Sequence, residues 1–562
     1  MASNILSIGQ SALAAAQAGI STTGHNIANA STPGYNRQIV TQSAAEAQNF
    51  GYGYVGQGTS VAGVTRVFNE LLHRQMVNSQ AASAASDTYY NELKAIDNML
   101  SDSTAGLNPA LSAFFSSVKA ASANASDIPT RQTMLSNAQA LVNRLNTMGD
   151  RLSQIQSDVN TQISGHITTV NSYATQLARL NDTIEQSISV GGNPPNDLMD
   201  QRDQLVLELS KIVKTTVVPQ GAGSYNVFIG NGLPLVVGKD SFALQTTTSP
   251  TDSSRIEVGY VSNNKVTILG SQTLAGGALG GLLEFREDSL DATENQLGQI
   301  ALVLAEQFND QHQSGYGLDG STGNDLFTLP NPTTQLRSSY SDGHTPGGAV
   351  LSVTIDDATA VLSSDYKLDY NGTDYTITRV SDGQAVASNV TLPQTVDGLT
   401  FTISSGTMVS GDQYSIRPTR NIASSISLAI TDVNKLALAT NDPTDTSNTN
   451  YGPSDNGNAL LLADLQLATI VKGSSSGTPI TLSGAFAQLV SNVGNKSNEL
   501  KITGASEAQV LESTTAAMQA ESGVNLDEEA ANLIRYQQAY QAAGKMMQMA
   551  SELFQILLNL NN

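Results

Sequence analysis

Apolar residues recur at seven-residue intervals at both ends of the chain. Leu6, Leu13, Ile20 and Ile27 form one row, and Leu526, Leu533, Tyr540, Met547 and Phe554 form another. A second C-terminal row, Tyr536, Ala543, Ala550 and Leu557, runs beside it. Such a repeat is the seam of a helix that packs against another helix. The N-terminal helix holds glycines at 9, 19 and 24. Each costs about 1 kcal/mol relative to alanine, so this helix needs a partner to persist. The partner is either the other end of the chain or a neighbouring molecule. Residues 1–36 contain no Lys, Arg, Asp or Glu, and neither do Leu553–Asn562. A solvated helix normally carries charge on its outer face. Periodicity alone suits an ordinary intramolecular pair, whereas the missing charge favours ends buried on more than one side, as in an assembly.

Between the ends the pattern alternates between helix and strand. Ser31-Thr32-Pro33-Gly34 stops the first helix. Tyr35–Gln42 reads as extended, and Thr59–Val67 as a strand with Val61, Val64 and Val67 facing in. A helix resumes near Asn69, with Leu93, Leu100 and Leu107 in one row and a break at Asn108-Pro109. A long helix starts at Ile128-Pro129. Along it Leu145, Leu152, Val159, His166, Tyr173 and Leu180 form one row, and Ile163, Val170, Leu177 and Ile184 the adjoining one. After the Gly191–Pro195 turn, Leu198–Ile212 is helical. Short strands are expected at Val217-Val218, Tyr225–Ile229, Leu235–Val237 and Ile256–Val261. Leu283, Leu290, Leu297 and Leu304 then mark another helix. Residues 330–420 read as β, with a hairpin at Asn371-Gly372 and a further pair from Leu399–Ile403 and Gln413–Ile416. From about 421 the chain reads as mainly helical, interrupted at Gly473–Gly477. The order predicts an α+β fold: a helical rod built from outgoing and returning halves, with β-rich domains inserted between them.

The chain has 562 residues, enough for several domains, since single cores seldom exceed about 250–300 residues. Charged residues make up 14% and the net charge is −22. No Lys/Arg-rich run occurs, which argues against nucleic acid and anionic lipid as partners. No apolar run approaches the ~20 residues of a membrane span. The N-terminus lacks the basic region of a cleavable secretory signal, because apart from His25 the first basic residue is Arg37. Cysteine is absent, which excludes disulfides and thiol chemistry. It also suits a chain that must travel unfolded.

Candidate chemistry is sparse. Gly51-Tyr52-Gly53-Tyr54-Val55-Gly56 fits the dinucleotide pattern, but it lacks a strand before it and a helix after it, so a glycine-rich turn is the better reading. Asp319, Ser321, Gly323 and Asp325 place oxygens at alternate positions, yet no closing Glu follows, and a turn is again favoured over calcium. His312 and the other histidines show no metal spacing. His166 lies in an apolar row and reads as packed core. No nucleophile–base set can be singled out. Hence no catalytic, metal or cofactor residue is assigned.

One resemblance organises these features. Ala15-Ala16-Gln17-Ala18-Gly19-Ile20-Ser21-Thr22-Thr23-Gly24-His25-Asn26-Ile27-Ala28-Asn29-Ala30, continuing through Pro33-Gly34-Tyr35-Asn36-Arg37-Gln38, closely resembles the N-terminal signature of bacterial flagellar rod, hook and hook-associated proteins. Val524–Ala530 and Leu533–Tyr540 resemble the matching C-terminal signature. Gly276–Arg286, and Phe308-Asn309 with His312, Gly315, Asp319, Gly320, Gly323 and Phe327, resemble the interior of the hook-associated protein 1 family. The resemblance implies a structural adapter, not an enzyme, joining the hook to the stiffer filament beneath the third hook-associated protein. It implies an extracellular place on the flagellum, export without a cleaved signal, and an export chaperone on the C-terminal helix. It further implies a ring-like homo-oligomer whose paired terminal helices line a central channel and which contacts hook protein.

The expected assembly interface is Leu6, Leu13, Ile20, Asn26, Ile27, Asn29, Pro33, Gly34, Tyr35, Leu526, Leu533, Tyr536, Tyr540, Met547, Phe554 and Leu557. The expected division is 1–68 with 520–562 as the terminal domain, and 69–214 with 276–329 and 421–519 as the helical body. Residues 215–275 form a small β insert and 330–420 an outer β-rich domain. Another axial subunit of hook or rod type, or an extracellular adhesin or enzyme using the β inserts, are the competing readings.

Overall fold

A computed structural model describes residues 2–49, 51, 53–102, 106–262, 265–338, 343–448, 452–473 and 478–560, without the side chains of 2, 3, 222, 557, 558 and 560. The first helix, α1, spans Ala2–Asn29. After the Pro33-Gly34 turn a ribbon follows: β1 (Gln38–Ala44), β2 (Gln48–Asn49), β3 (Tyr54–Val55) and β4 (Thr59–Arg66). β1 pairs antiparallel with β4, with a bulge after Thr41. Val61 is exposed and Val64 and Val67 are half-buried, because a two-stranded ribbon covers little surface. The dinucleotide-like glycines fall in the β2–β3 hairpin, with Tyr52 outside the described residues. A strand follows them, so no helix N-terminus is placed for a phosphate.

Four helices start the body: α2 (Glu70–Leu100), α3 (Leu107–Ala123), α4 (Ile128–Gly191) and α5 (Asn196–Ile212). Asn69 caps α2 by accepting from the amides of Leu71 and Leu72. Leu107 opens α3, so the chain breaks before it. Pro109 sits in the first turn of that helix, where its missing N–H removes no helical bond. Asp127 caps α4 by accepting from the Thr130 amide. At 64 residues α4 is about 96 Å long. Its buried seam changes rows along the way. Leu145, Leu152 and Val159 are buried, then His166, Tyr173 and Leu180 turn half outward while Ile163, Val170, Leu177 and Ile184 take over. A straight helix drifts about 20° per heptad, which moves a strict seven-residue row off the contact line.

The small insert contains two sheets. β5 (Thr215–Pro219), β6 (Tyr225–Ile229), β7 (Leu233–Val237) and β8 (Asp240–Ser241) form one. β9 (Leu244–Ser249), β10 (Asp252–Ser262) and β11 (Lys265–Leu269) form the other. Asparagines on α4 hold this insert through its backbone. Asn171 donates to and accepts from Leu244. Asn181 donates to the carbonyls of Tyr225 and Gly238 and accepts from the Tyr225 amide. Asn160 does the same at Ser254 and Ile256. A carboxamide offers the donor and acceptor of a peptide unit, so each asparagine stands in for a missing neighbour strand.

Then come α6 (Gly277–Glu284), a π-helical turn (Phe285–Leu290) and α7 (Asp291–Gln313), with Leu283, Leu290, Leu297 and Leu304 all buried. Phe308 on α7 packs its ring 5.2 Å from Phe114 and 5.7 Å from Phe327. The remaining strands are β12 (Phe327–Thr328), β13 (Thr333–Leu336), β14 (Val350–Ile355), β15 (Tyr366–Tyr370), β16 (Tyr375–Arg379), β17 (Ala385–Val390), β18 (Gln394–Val396), β19 (Leu399–Ser405), β20 (Gln413–Arg417) and β21 (Ser427–Leu428). Sheets ordered β13-β20-β15-β16-β17 and β14-β19-β18 form the outer unit. Tyr366 and Phe401 meet between them with ring centroids 6.1 Å apart. The Asn371-Gly372 hairpin forms as expected, with Tyr370 opposite Tyr375. Leu399–Ile403 and Gln413–Ile416, expected to pair, lie in different sheets: β19 sits between β14 and β18, and β20 between β13 and β15. Both strands need a buried face, and two stacked sheets supply one to each.

The returning chain also departs from expectation. Between 421 and 481 only α8 (Ile422–Ser425) and α9 (Gly457–Asp464) are α-helical among the described residues. This segment is held by side chains of the body instead. Arg131, 1% exposed, donates to the carbonyls of Ala125, Val433 and Leu436. His312 accepts from the Ala437 amide through Nε2, and its Nδ1 lies 2.6 Å from the Asn324 carbonyl. The long helices α10 (Leu482–Ser522) and α11 (Leu526–Leu560) close the chain.

Candidate functional site: the terminal helix pair and its junction

α1 and α11 pack antiparallel, with Gly9 opposite Met547, Gly19 opposite Tyr536, and Asn26 beside Glu529. A Cβ at Gly9 would stand 2.7 Å from Met547 Cγ, and one at Gly19 2.5 Å from the Tyr536 ring. The glycines that weaken α1 alone are therefore where α11 comes closest. The buried side of the pair is built from small or polar residues: Ala15, Ala16, Thr23 and Asn26 on α1, and Glu529, Ala543 and Ala550 on α11.

The expected seam row is thus not the main contact row. Leu6, Leu13 and Ile20 are half-buried and Ile27 is exposed. Leu533, Tyr536 and Met547 are half-buried, while Leu526, Tyr540 and Phe554 are exposed, the last at 48%. Ile534, Met549, Leu553 and Ile556 are exposed as well. The side chain of Leu557 lies outside the described residues. Two helices meeting through small residues approach closely, and their larger apolar residues are left facing outward.

The signature residues after α1 build a polar junction. Asn26 is fully engaged: its amide donates to the Gln38 carbonyl and to Glu529 Oε2, and its oxygen accepts from Tyr35 Oη and the Gln38 amide. Burial, and then the carboxylates of Asp197, Asp200 and Glu529, push the Tyr35 phenol above its usual range, which keeps it a neutral donor. Asn29 donates to the His25 carbonyl and accepts from the Thr32 hydroxyl. Gly34 adopts φ +76° and lies where a Cβ would touch Gln204. Both facts favour glycine. Pro33 is exposed at the tip of the turn, between clefts of about 680 and 330 Å³.

The other half of the junction is an acidic face of α5 that the motif reading missed. Asp197 accepts from Gln38 Nε2, and Asp200 accepts from the backbone and side chain of Asn36. Arg66, at the end of β4, bridges Asp200 at 2.7 Å and Asp203 at 2.6 Å with its side chain 7% exposed. Burial pushes the Asp200 carboxyl upward against these partners. Across the gap Arg37 pairs with Glu528 and its amide donates to the Ser522 carbonyl. The signal was present in the i, i+3 spacing of Asp197, Asp200 and Asp203. That spacing puts three carboxylates on one helix face.

The calcium-like residues form a turn: Asp319 accepts from the Ser321 amide and hydroxyl. Among the described residues, no three His, Cys, Asp or Glu side chains gather as a metal set, and no helix is long and apolar enough to cross a membrane.

A helical rod with β inserts, closed by its own termini through a signature junction, defines a bacterial flagellar axial protein. Residues 6–36 match the family model of flagella basal body rod proteins, and 516–560 that of the C-terminal part of the basal body rod FlgEFG proteins. Residues 93–327 match the helical domain of flagellar hook-associated protein FlgK, and 340–418 the D2-like domain of flagellar hook-associated protein 1. The chain is 36% identical to flagellar hook-associated protein 1 of Salmonella typhimurium over 562 residues, covering 99% of this chain and 100% of that one. It is equally identical to the Escherichia coli protein over 570 residues, and 25% identical to that of Bacillus subtilis over 588. The solved flagellar hook junction protein FlgK of Burkholderia pseudomallei superposes with a TM-score of 0.73 at 28% identity, over 80% of this chain and 100% of that one. The chain belongs to the flagellar hook-associated protein 1 family. It is a structural protein of the flagellum, an adapter of the hook–filament junction.

Proposed function

We propose that the adapter assembles through its terminal pair. Residues 1–68 with 520–562 form its axial core, and 69–214, 276–329 and 421–519 its body. Residues 215–275 and 330–420 are outward inserts. The observation that supports this is the distribution of apolar side chains. The α1–α11 contact uses small residues and leaves Ile534, Tyr540, Met549, Leu553, Phe554 and Ile556 each more than 40% exposed. So many large apolar side chains left in water along one helix favour a partner that covers them. Copies of the chain in a ring would bury it, with hook protein on one side and the third hook-associated protein on the other. Before assembly an export chaperone covering α11 would prevent premature association. The working place is outside the cell, on the flagellum.

The test is electron microscopy of cells lacking this protein. Hooks without filaments, with filament subunit released to the medium, support the junction role. Absent hooks would move the chain down the axis to a hook or rod position. Normal flagella would overturn the reading and turn attention to the β inserts as an adhesin or enzyme. Removing 533–562 should abolish incorporation while the body still unfolds at its usual temperature.

A further inference from the structure

The outer β unit is seated on the rest of the molecule through a buried ion cluster. Arg417 closes β20, and Arg420 follows it in the turn leaving that unit. Arg417 reaches Asp252 at 3.2 Å and donates to the Thr251 carbonyl, both at the β9–β10 turn of the small insert. Arg420 reaches Asp291 at 2.8 Å on α7 and pairs with Asp365 of the outer unit through Nε and Nη2. Arg255 closes the cluster by pairing with Asp252 at 3.0 Å and with Asp291. Backbone contacts run alongside, from the Ser338 amide to the Pro250 carbonyl and from the Ser253 amide to Gln335. Three parts of the chain, far apart in sequence, therefore meet on one set of charges.

That set does not balance. Its cations are Arg255, Arg417 and Arg420, and its carboxylates are Asp252, Asp291, Asp365 and Glu294: three against four. Every one of these side chains is at most 14% exposed. The neighbouring Arg286 is matched by Glu257 at 2.6 Å and adds no net charge. A surplus buried charge is costly, and a carboxyl in that position relieves it by keeping its proton. Glu294 is the one placed to do so. Its nearest cation, Arg420, is 3.8 Å away, beyond hydrogen-bond length, whereas Asp252, Asp291 and Asp365 each touch an arginine at bonding distance.

We propose that Glu294 is a proton-operated element of this clasp. With the proton on, the charges balance and Arg420 holds Asp291 and Asp365, fixing the outer unit on the body. With the proton off, Glu294 competes with those aspartates for Arg420, and the outer unit gains freedom to tilt. Burial pushes the Glu294 carboxyl up to about 7, against the pull of Arg420 and with added repulsion from Asp291 and Asp365, so the device works near neutrality. A carboxyl raised on folding stabilises the closed form most fully below its unfolded value. That contribution is lost as pH rises through the folded value.

The test uses the full chain, whose lack of cysteine lets labels go only where S153C and S388C place them, one on α4 and one on the outer unit. The distance distribution between them should widen from about pH 6 to about pH 8 in the wild type and stay narrow throughout in E294Q. An unchanged wild-type distribution, or an equal widening in E294Q, overturns the proposal. Infrared spectroscopy should show a protonated carboxyl at about pH 6 that E294Q removes. A wild type without that signal overturns the proposal even if E294Q fails to fold.

Discussion

The helical body and the terminal pair are both written in seven-residue apolar rows, yet they use those rows in opposite ways. In the body the large residues go in. Leu297, Ile300, Leu304 and Phe308 on α7 are each at most 2% exposed, and polar asparagines outside the seam hold the inserts. In the terminal pair the fully buried positions are small or polar, Tyr536 and Met547 lie half-buried over glycines, and Leu553, Phe554 and Ile556 are each near half exposed. A heptad row thus states that a helix face will be covered, but not by which molecule. The body finds its cover within the chain. The terminal pair uses Gly9, Gly19, Ala543 and Ala550 for its own contact and leaves Tyr540, Leu553, Phe554 and Ile556 exposed.

The largest test of this difference pairs two phenylalanines. Phe308→Ala should cost about 3–5 kcal/mol in denaturant unfolding, because it empties a site walled by Phe114, Phe327 and His312. Phe554→Ala should cost the free chain less than about 0.5 kcal/mol, since its side chain is already half in water, yet should reduce incorporation into flagella. A Phe554→Ala chain that unfolds markedly earlier would show that the outer row is intramolecular core, and the contrast would fail.

A second test separates the regions by acid. His312 is fully buried, and burial pulls it down to about 4 while its Nε2 accepts from Ala437. The unfolded chain binds that proton more readily, at about pH 6.5. The contribution of neutral His312 is therefore complete above about pH 6.5 and is lost progressively as pH falls toward about 4. The loss should approach about 3 kcal/mol of body stability. In His312→Gln, which cannot titrate, stability measured between these limits should lose that acid slope. The helicity of α1 and α11 should not follow the same curve.

The sequence made the architecture legible where local signals and burial agree. The Pro33-Gly34 stop, the helix starts near Asn69 and at Ile128-Pro129, the buried row of α7 and the Asn371-Gly372 hairpin all appear where they were expected. It was silent where partners are distant. Strand β9, Leu244–Ser249, is mostly threonine and other polar residues, so its alternation is weak. The misassigned pairing of Leu399–Ile403 with Gln413–Ile416 has the same origin: both runs alternate well, but alternation does not name a neighbour. The stretch 421–481 read as helix from its apolar content, yet its backbone is satisfied by Arg131, His312 and Asn146, contacts that no local pattern announces. At the junction, Asn26, Asn29, Gly34 and Tyr35 were picked out by resemblance. Asp197 and Asp200, which hold the adjoining Gln38 and Asn36, and Arg66, which holds Asp200, were not, because they lie more than a hundred residues away or beyond the signature.

A smaller effect probes how the body holds its insert. Asn181→Ala removes three hydrogen bonds to the backbone of Tyr225 and Gly238 and leaves those groups buried. About 1–3 kcal/mol of local stability should go, read as faster hydrogen exchange confined to 215–275. Faster exchange spread through α4 instead would mean that the asparagine supports the rod and not the insert.

The smallest effect concerns the third glycine of α1. Gly9 and Gly19 are explained by the close approach of α11, but a Cβ at Gly24 would meet nothing within 4 Å, and Gly24 lies on the exposed side of the helix. Gly24→Ala should therefore favour the helix by about 1 kcal/mol, seen as a slight rise in helicity of the free chain. If α1 is covered on that side by a neighbouring molecule at the same close range that α11 achieves at Gly19, incorporation should fall even though the helix has gained. Equal or better incorporation would place the intermolecular contact elsewhere on the pair, on the faces that carry Ile534, Tyr540 and Phe554. Either result locates the covering molecule, because the substitution adds one methyl group to a surface where the chain itself has nothing to meet it.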